Sequence, residues 1–264
     1  NQAKHSKHRQ YNQSSNLQHT PIARCGGEMA GEDELKLLST WGSPWASRVK
    51  LALHFKGLSY ENIEQDLNNK SDLLLAFNPV HKKVPVLIHN GKPICESVVI
   101  IEYIDEAYGS SGPSLLPTDP YERAIARFWV DYIDHKLVIP WKVAFTANTE
   151  EDKTEAIKQI LAGVKVLEGA LKECSNGKPF FGGDNVGYVD IALGGLLAFL
   201  QGTEELCGTK LFGTANTPLL LAWVERFTTL DAAKAALPDA SKLVAFAKTR
   251  RAQIAATINV RVKN

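Results

Sequence analysis

The stretch Val84-Pro85-Val86-Leu87-Ile88-His89-Asn90-Gly91-Lys92-Pro93-Ile94-Cys95-Glu96-Ser97 decides how the first half of the chain is read. Asn90-Gly91 is the strongest short hairpin signal in the sequence, because both residues tolerate the positive φ angles of a two-residue turn. The apolar runs on either side, Val84 to Ile88 and Pro93 to Cys95, therefore predict two antiparallel strands. Val84-Pro85 stands just ahead of the first strand, where a proline is well placed for a cis bond. Such a bond would turn the backbone of Val84 outward, leaving its amide and carbonyl to pair with an extended ligand like an added strand. Beyond the second strand, Glu96-Ser97 opens a helical pattern carried by Ile100, Ile101 and Ile104.

Upstream, Leu35 to Thr40 reads as a strand, followed by Ser43 as N-cap and Pro44 as first residue of a helix bearing Val49, Leu51, Ala52, Leu53 and Phe55. A second strand is expected near Tyr60 to Gln65, then a short helix over Leu73 to Phe77 that Asn78-Pro79 ends. The order βαβ, α, ββα is that of a thioredoxin-like domain. Downstream the pattern changes near Gly109, where Gly109-Ser110-Ser111-Gly112-Pro113-Ser114-Leu115-Leu116-Pro117 reads as a linker. From Pro120 onward no strand signal appears. Ile125, Phe128, Trp129, Tyr132 and Ile133 mark one helical face, and Ile157, Ile160, Leu161, Val164, Leu167 and Leu171 another, both expected in a core. Tyr188 to Leu200 is apolar on nearly every face, as for a helix in the centre of a bundle, and Thr217 to Phe227 and Ala240 to Ala256 supply two more helices around a break at Pro238. The expected fold is thus an α/β thioredoxin-like domain over residues 31–109, a linker over 110–118 and an all-α bundle over 119–264.

The chain has 264 residues, 44 % hydrophobic and 22 % charged, enough apolar material for a real core. A formal charge of +1 with no long basic run argues against nucleic acid. No window approaches the ~18 apolar residues of a membrane span. Cys25, Cys95, Cys174 and Cys207 form neither a CxxC pair nor a metal-ligand spacing with the histidines, so no metal is expected and a reduced, cytosolic setting is the simple inference. Asn1 to Gly27 holds no acidic residue and is rich in Gln, Asn, Ser, His and Lys, a composition that cannot bury enough surface to fold. Residues 1–30 are expected to be a disordered or non-native extension with Met29 as the initiator. A transit peptide is the rival reading, weakened by few arginines and no clear amphipathic helix.

Three features of the first half carry chemistry together. Ser43 sits where a strand ends and a helix begins, so its hydroxyl and the free amides of the helix point at one spot. A helix N-terminus stabilises an anion by ~0.3–1 kcal/mol and a hydrogen bond to a charged group adds ~1.5–3 kcal/mol. At ~1.4 kcal/mol per pKa unit, a thiol held there would fall roughly one to two units from ~8.5, making the thiolate the majority form near neutrality. Nucleophilicity falls with pKa, so the net gain is about several-fold and positioning must supply much of the rest. Val84-Pro85 offers outward backbone groups, and Glu96-Ser97 offers a carboxylate for an ammonium group beside a hydroxyl and helix amides for a carboxylate. Read singly, each has a plainer explanation: an N-cap, a turn, a capping sequence.

In this order and spacing the features closely resemble the cytosolic glutathione transferases, over Leu35 to about Ala256. Within that superfamily Ser43-Pro44-Trp45, Asn69-Lys70-Ser71, Asn78 to Leu87 and His89 to Ser97 are similar to the plant tau class. The second half fits through Phe128-Trp129 with Asp131-Tyr132, and through Phe181-Gly182-Gly183-Asp184 leading into Tyr188-Val189-Asp190-Ile191-Ala192. The resemblance implies conjugation of glutathione to hydrophobic electrophiles in detoxification and stress response, with room for peroxide reduction, glutathione as co-substrate, no other cofactor, and a homodimer. It makes Ser43 the catalytic hydroxyl and assigns Ser43, Lys70, Lys83, Val84, Glu96 and Ser97 to glutathione. By position, Trp45, Val138, Lys142, Phe145 and Phe199 should form the electrophile pocket. Tyr, Arg and Trp are common where this chain has Val138, Lys142 and Phe145, so substrate preference does not carry over. Gly187 stands where a Ser or Thr commonly caps the helix bearing Asp190, which makes Asp190 a structural residue at N3.

Cysteine-dependent relatives place a Cys where this chain has Ser43, and none occurs between Cys25 and Cys95. Tyrosine-dependent types are disfavoured because no Tyr lies between Tyr11 and Tyr60. A non-catalytic carrier of glutathione conjugates or hydrophobic metabolites would keep the same cleft and stands as the alternative.

Overall fold

Leu35, Leu37 and Leu87 bury one face of a small sheet while Leu38, Val86 and Ile88 bury the other, the period-two alternation of strands covered on both sides. In the computed structural model, which describes residues 34–147 and 149–249, these strands are β1 (Leu35–Ser39), β2 (Glu61–Glu64), β3 (Val86–His89) and β4 (Lys92–Cys95). They lie in the order β2-β1-β3-β4, with β1 and β2 parallel and the other pairs antiparallel. Helices α1 (Pro44–Phe55) and α3 (Ser97–Ala107) cover the first face, and Leu74 of α2 (Asp72–Phe77) covers the second. Asn90 and Gly91 take φ values of 49° and 75°, the pair of left-handed residues that a two-residue turn needs, and Val84-Pro85 is cis. The residues before Glu34, including Met29 and the expected extension, and those after Thr249, where the last predicted helix was to continue, lie outside the described part.

The linker is docked by one carboxylate. Asp105 accepts from the amides of Leu115 and Leu116 at 2.9 Å each, and the buried Lys56 ammonium at the end of α1 lies 2.7 Å from it. The Leu115 carbonyl then accepts from Tyr188 N at 2.8 Å, so the linker ties the sheet layer to the helices that follow. Burial alone would raise the Asp105 carboxyl, but Lys56 and the two amides hold it below the usual carboxylate range.

The second half is helical among the described residues: α4 (Pro120–Ile133), a π-helical turn (Asp134–Val138), α5 (Ile139–Thr146), α6 (Glu150–Ser175), α7 (Tyr188–Gly194), α8 (Leu197–Cys207), α9 (Pro218–Thr229), α10 (Asp231–Ala236) and α11, helical over residues 240–249. No helix among them is long and apolar enough to cross a membrane. The buried face of α4 is Ala126, Val130 and Ile133. Phe128, expected in the core, is 55 % exposed, because it lies two residues from either of the first two and so points off that stripe. Leu161 is likewise exposed on α6. The expected single helix over Tyr188 to Leu200 is two helices broken at Gly195-Leu196. A Cβ at Gly195 would meet Arg48 Cγ at 2.5 Å and the Pro44 carbonyl at 3.0 Å, so α1 is seated in the break itself.

Asp190 is fully buried and accepts four hydrogen bonds, from the amides of Phe181, Gly182 and Gly187 at 2.9–3.0 Å and from Trp223 Nε1 at 2.7 Å. That set occupies both carboxyl oxygens without a hydroxyl at position 187, while burial pushes the carboxyl above the usual carboxylate range. Gly182 and Gly187 pass so closely that a Cβ on Gly187 would lie 2.9 Å from Gly182 Cα.

Replacing Asp105 by Asn should strand the Lys56 charge and cost about 3–5 kcal/mol at neutral pH. Because the folded carboxyl lies below its unfolded value of ~3.9, its stabilisation is present above that value and is lost as pH falls through the folded one. The melting-temperature gap between wild type and the variant should therefore be widest near pH 7 and close below about pH 4; a gap that widened on acidification would refute the assignment. Gly195→Ala, whose backbone (φ −60°) accepts alanine, should act through packing alone and cost about 1–3 kcal/mol. Unchanged stability in a thermal melt would show that the break tolerates a side chain.

Candidate active site

The register gathers the expected ligand contacts at one end of the sheet. Ser39 at the end of β1 is opposite Glu64 at the end of β2, while Leu38 pairs with Val86 and Val86 with Cys95. The segments leading to Ser43 and to Lys70-Ser71, the Lys83-Val84-Pro85 entry to β3, and Glu96-Ser97 all leave the sheet at this edge.

Ser43 is the N-cap of α1 with extended backbone (φ −119°, ψ 117°), and its Oγ accepts from Ala46 N at 3.2 Å. That bond uses a lone pair and leaves the O–H to donate. Pro44 at N1 has no N–H to satisfy and a φ preset for the helix. The residue is buried, 6 % exposed.

Around it the other loops are held by side chains. Asn78, buried at the end of α2, donates from Nδ2 to the Lys83 carbonyl at 2.9 Å and accepts from His81 N at 3.1 Å. This shapes the turn that delivers Val84-Pro85, with Lys82 at φ 53°. Ser71 caps α2 through Leu74 N and donates to Gln65 Oε1 at 2.6 Å, and Gln65 N donates to the Ser39 carbonyl at 2.8 Å. Lys70 and Lys83 are exposed on either side. Glu96 stands at φ 70°, ψ 120°, a conformation unfavourable for any L side chain, immediately before α3. Its exposed carboxylate has His81 Nε2 at 3.8 Å as a weak neighbour, and Ser97 is buried as the first residue of the helix. Strain of roughly 1–3 kcal/mol persists where the surrounding structure demands it, and here it aims a carboxylate beside free helix amides. Neither Asn78 nor Gln65 was singled out in the sequence, because a positioning amide has no spacing signature.

A cavity of about 210 Å³ is lined in part by Gly42 and Trp45, which flank Ser43-Pro44 in the chain. Trp45, Lys142, Phe145 and Phe199 line it together. Val138 does not: it sits in the π-helical turn, 4 % exposed and packed in the core. The π turn adds a residue to the helical path, which rotates position 138 inward. Pro140 explains the turn, since it cannot donate to the Lys136 carbonyl, and Gly163 of α6 packs close to that same carbonyl. Trp141 joins the wall, edge-on to Phe199 at 5.3 Å, as do Leu243, Val244 and Phe246 of α11. Trp141 was not singled out in the sequence, and Leu243, Val244 and Phe246 fell within the helix expected over Ala240 to Ala256. Phe246 also meets Trp41 edge-on at 5.6 Å, bringing α11 against the loop before Ser43.

The comparisons with known proteins agree with this geometry. Residues 33–106 match the family described as glutathione S-transferase, N-terminal domain, and residues 124–231 match glutathione S-transferase, C-terminal domain. The chain is 53 % identical to a probable glutathione S-transferase, GSTU6, of Oryza sativa subsp. japonica over 84 % of its length and 96 % of that protein's. It is 49 % identical to glutathione S-transferase U18 of Arabidopsis thaliana, over 83 % and 96 %. Among solved structures it resembles the tau class glutathione S-transferase of mango, Mangifera indica, with a TM-score of 0.78 at 48 % identity, covering 82 % of this chain and 98 % of that one. Rice GST1, solved in complex with glutathione, superposes with a TM-score of 0.77 at 37 % identity, covering 85 % and 99 %. A thioredoxin-like sheet with Ser43 at the head of its first helix, joined to a helical half of this length and identity, has one interpretation: the chain belongs to the glutathione S-transferase family, in the tau class of plants.

Proposed function

We propose that the protein conjugates glutathione to hydrophobic electrophiles by a serine-type mechanism in which the Ser43 hydroxyl holds the thiolate. The observation that supports the reading is that Ser43, a helix cap with its O–H still to donate, lies in the chain between Gly42 and Trp45, both of which line an apolar cavity. The Val84 backbone pairs with the tripeptide as an added strand. Glu96 receives the ammonium group, Ser97 and the first amides of α3 receive the adjacent carboxylate, and Lys70 and Lys83 balance the remaining negative charge. The sulfur lone pair forms the new C–S bond, and a halide leaves with its bonding electrons or a conjugated double bond takes them up and is protonated. Ser43 donates its hydrogen bond more strongly to the thiolate than to the thiol, which is what lowers the pKa. The apolar walls exclude water and align the electrophile, supplying the positional share of the acceleration. Peroxide reduction by the same thiolate would use the same groups, and a homodimer in the cytosol accompanies this reading. The apolar side chains of Val80, Tyr121 and Phe128 are exposed and available to such an interface.

Ser43→Ala should keep glutathione binding, raise the apparent pKa of the bound thiol, and lower kcat/KM about ten- to a hundredfold, the equivalent of ~1.5–3 kcal/mol. Ser43→Cys should lose conjugation and gain thiol transfer, since a cysteine at a helix N-terminus is itself activated. Thiolate absorbance titration with an aryl-halide assay checks both; a Ser43→Ala enzyme with unchanged pKa and rate would leave Ser43 a helix cap only. Running the assay beside a ligand titration also separates an enzyme from a carrier, which would bind without turnover.

Glu96→Ala should raise KM for glutathione about tenfold with kcat changed by less than about threefold, because it removes a contact equal in ground and transition states. Collapse of kcat at unchanged KM would take Glu96 out of the binding role and into the chemistry.

A further inference from the structure

Lys142 stands apart from everything else on the wall of the cavity. It projects from α5 to place its ammonium 5.4 Å from the centre of the Trp45 ring, which belongs to α1, two residues from Ser43. Both remaining hydroxyl groups on the wall are committed within their own helices: Thr146 donates to the Lys142 carbonyl at 2.7 Å and Thr203 to the Phe199 carbonyl at 2.9 Å. Among the described residues no acidic residue lines the cavity and Lys142 forms no ion pair. The other wall groups near it, Trp141, Phe145 and Phe199, are aromatic. An ammonium over an indole face is attracted by the ring and gives up part of its hydration, yet keeps donors that the ring does not satisfy.

From this juxtaposition we infer that the electrophiles this site selects carry a carboxylate on a flat aromatic body, with Lys142 as the specificity-determining residue that binds the anionic end. The inference rests on the conjugation reading above and names its substrate class. A molecule lying along Trp45 has one end at the Ser43 turn and the other under Lys142, so the charge is held at the end away from the sulfur. The size agrees: an apolar cavity of roughly 150 Å³ holds benzene, and about 210 Å³ admits one substituted ring. A buried acidic partner would have neutralised Lys142 and made the cavity indifferent to charge; none is there among the described residues. Because Lys142 is exposed at the rim, the preference should be moderate and sensitive to salt.

The test uses 4-chloro-3-nitrobenzoate and its methyl ester at saturating glutathione, with the wild type, Lys142→Met and Lys142→Arg. In each case chloride leaves from the ring carbon as the C–S bond forms, and the intrinsic difference in reactivity cancels when variants are compared. The ratio of kcat/KM for the acid to that for the ester should fall about tenfold in Lys142→Met, recover to within about threefold of wild type in Lys142→Arg, and shrink as sodium chloride is raised. An unchanged ratio in Lys142→Met, with both substrates affected alike, would overturn the inference and make Lys142 a packing residue on Trp45. If the wild type turned over neither substrate, the conjugation reading would fall. Calorimetric titration with the two presynthesised glutathione conjugates would then judge the charge preference separately. Wild type should hold the carboxylate conjugate about tenfold more tightly than Lys142→Met does, and equal affinities would overturn it.

Discussion

The burial of Arg48 is the constraint on which the rest of the site depends. Its guanidinium is 1 % exposed, its Nε donates to the Ala192 carbonyl at 2.9 Å, and one terminal nitrogen lies 2.7 Å from the Asp134 carboxylate. A charge removed from water to this degree persists only where partners are held in place, so α1, α7 and the π-helical turn must keep one arrangement. Gly195 makes the seat, since no side chain there fits beneath Arg48 and Pro44. The helix that Ser43 caps is thereby clamped to the helical half that supplies most of the cavity wall.

Three carboxylates, two buried and one half-buried, follow the same logic with different tasks. Asp190 collects the donors of one loop and of Trp223, and Asp105 collects the linker and Lys56. Glu102 on α3 forms a two-pronged pair with Arg127 on α4 and also takes the Tyr188 hydroxyl at 3.1 Å, and the Arg127 hydrogen bond holds its carboxyl below the usual range. Each is satisfied by protein groups. Glu96, by contrast, is exposed, strained in its backbone, and weakly partnered. That difference sets it apart from the carboxylates that hold the fold and supports the ligand role proposed for it.

The cavity exists only because two kinds of structure meet. Its floor, Gly42 and Trp45, comes from the sheet layer, and its walls come from α5, α8 and α11. On the reading proposed above, the head of α1 holds the thiolate for many electrophiles, whereas the walls and the Lys142 ammonium select which electrophile is aligned. The two functions can change independently, because substitutions on the helices need not disturb the Ser43 cap.

Local chemistry made much of this legible in the sequence. Asn90-Gly91 specified the hairpin, Ser43-Pro44 the head of α1, Val84-Pro85 the entry to β3, and the period-two apolar runs the strands, since each signal acts between residues a few positions apart. Resemblance added expected ligand contacts and five pocket positions, of which Trp45, Lys142, Phe145 and Phe199 line the cavity. The tertiary structure alone decided the rest. It broke the apolar run after Tyr188 at Gly195 to admit α1, and turned Phe128 outward. It moved Val138 into the core through a π turn set by Pro140 and Gly163, and brought Trp141, Phe246 and Asn78 to the site. Those outcomes depend on close approach between helices far apart in the chain. Periodicity tells which face of a helix is apolar, but only packing tells which neighbour it meets and how near that neighbour comes.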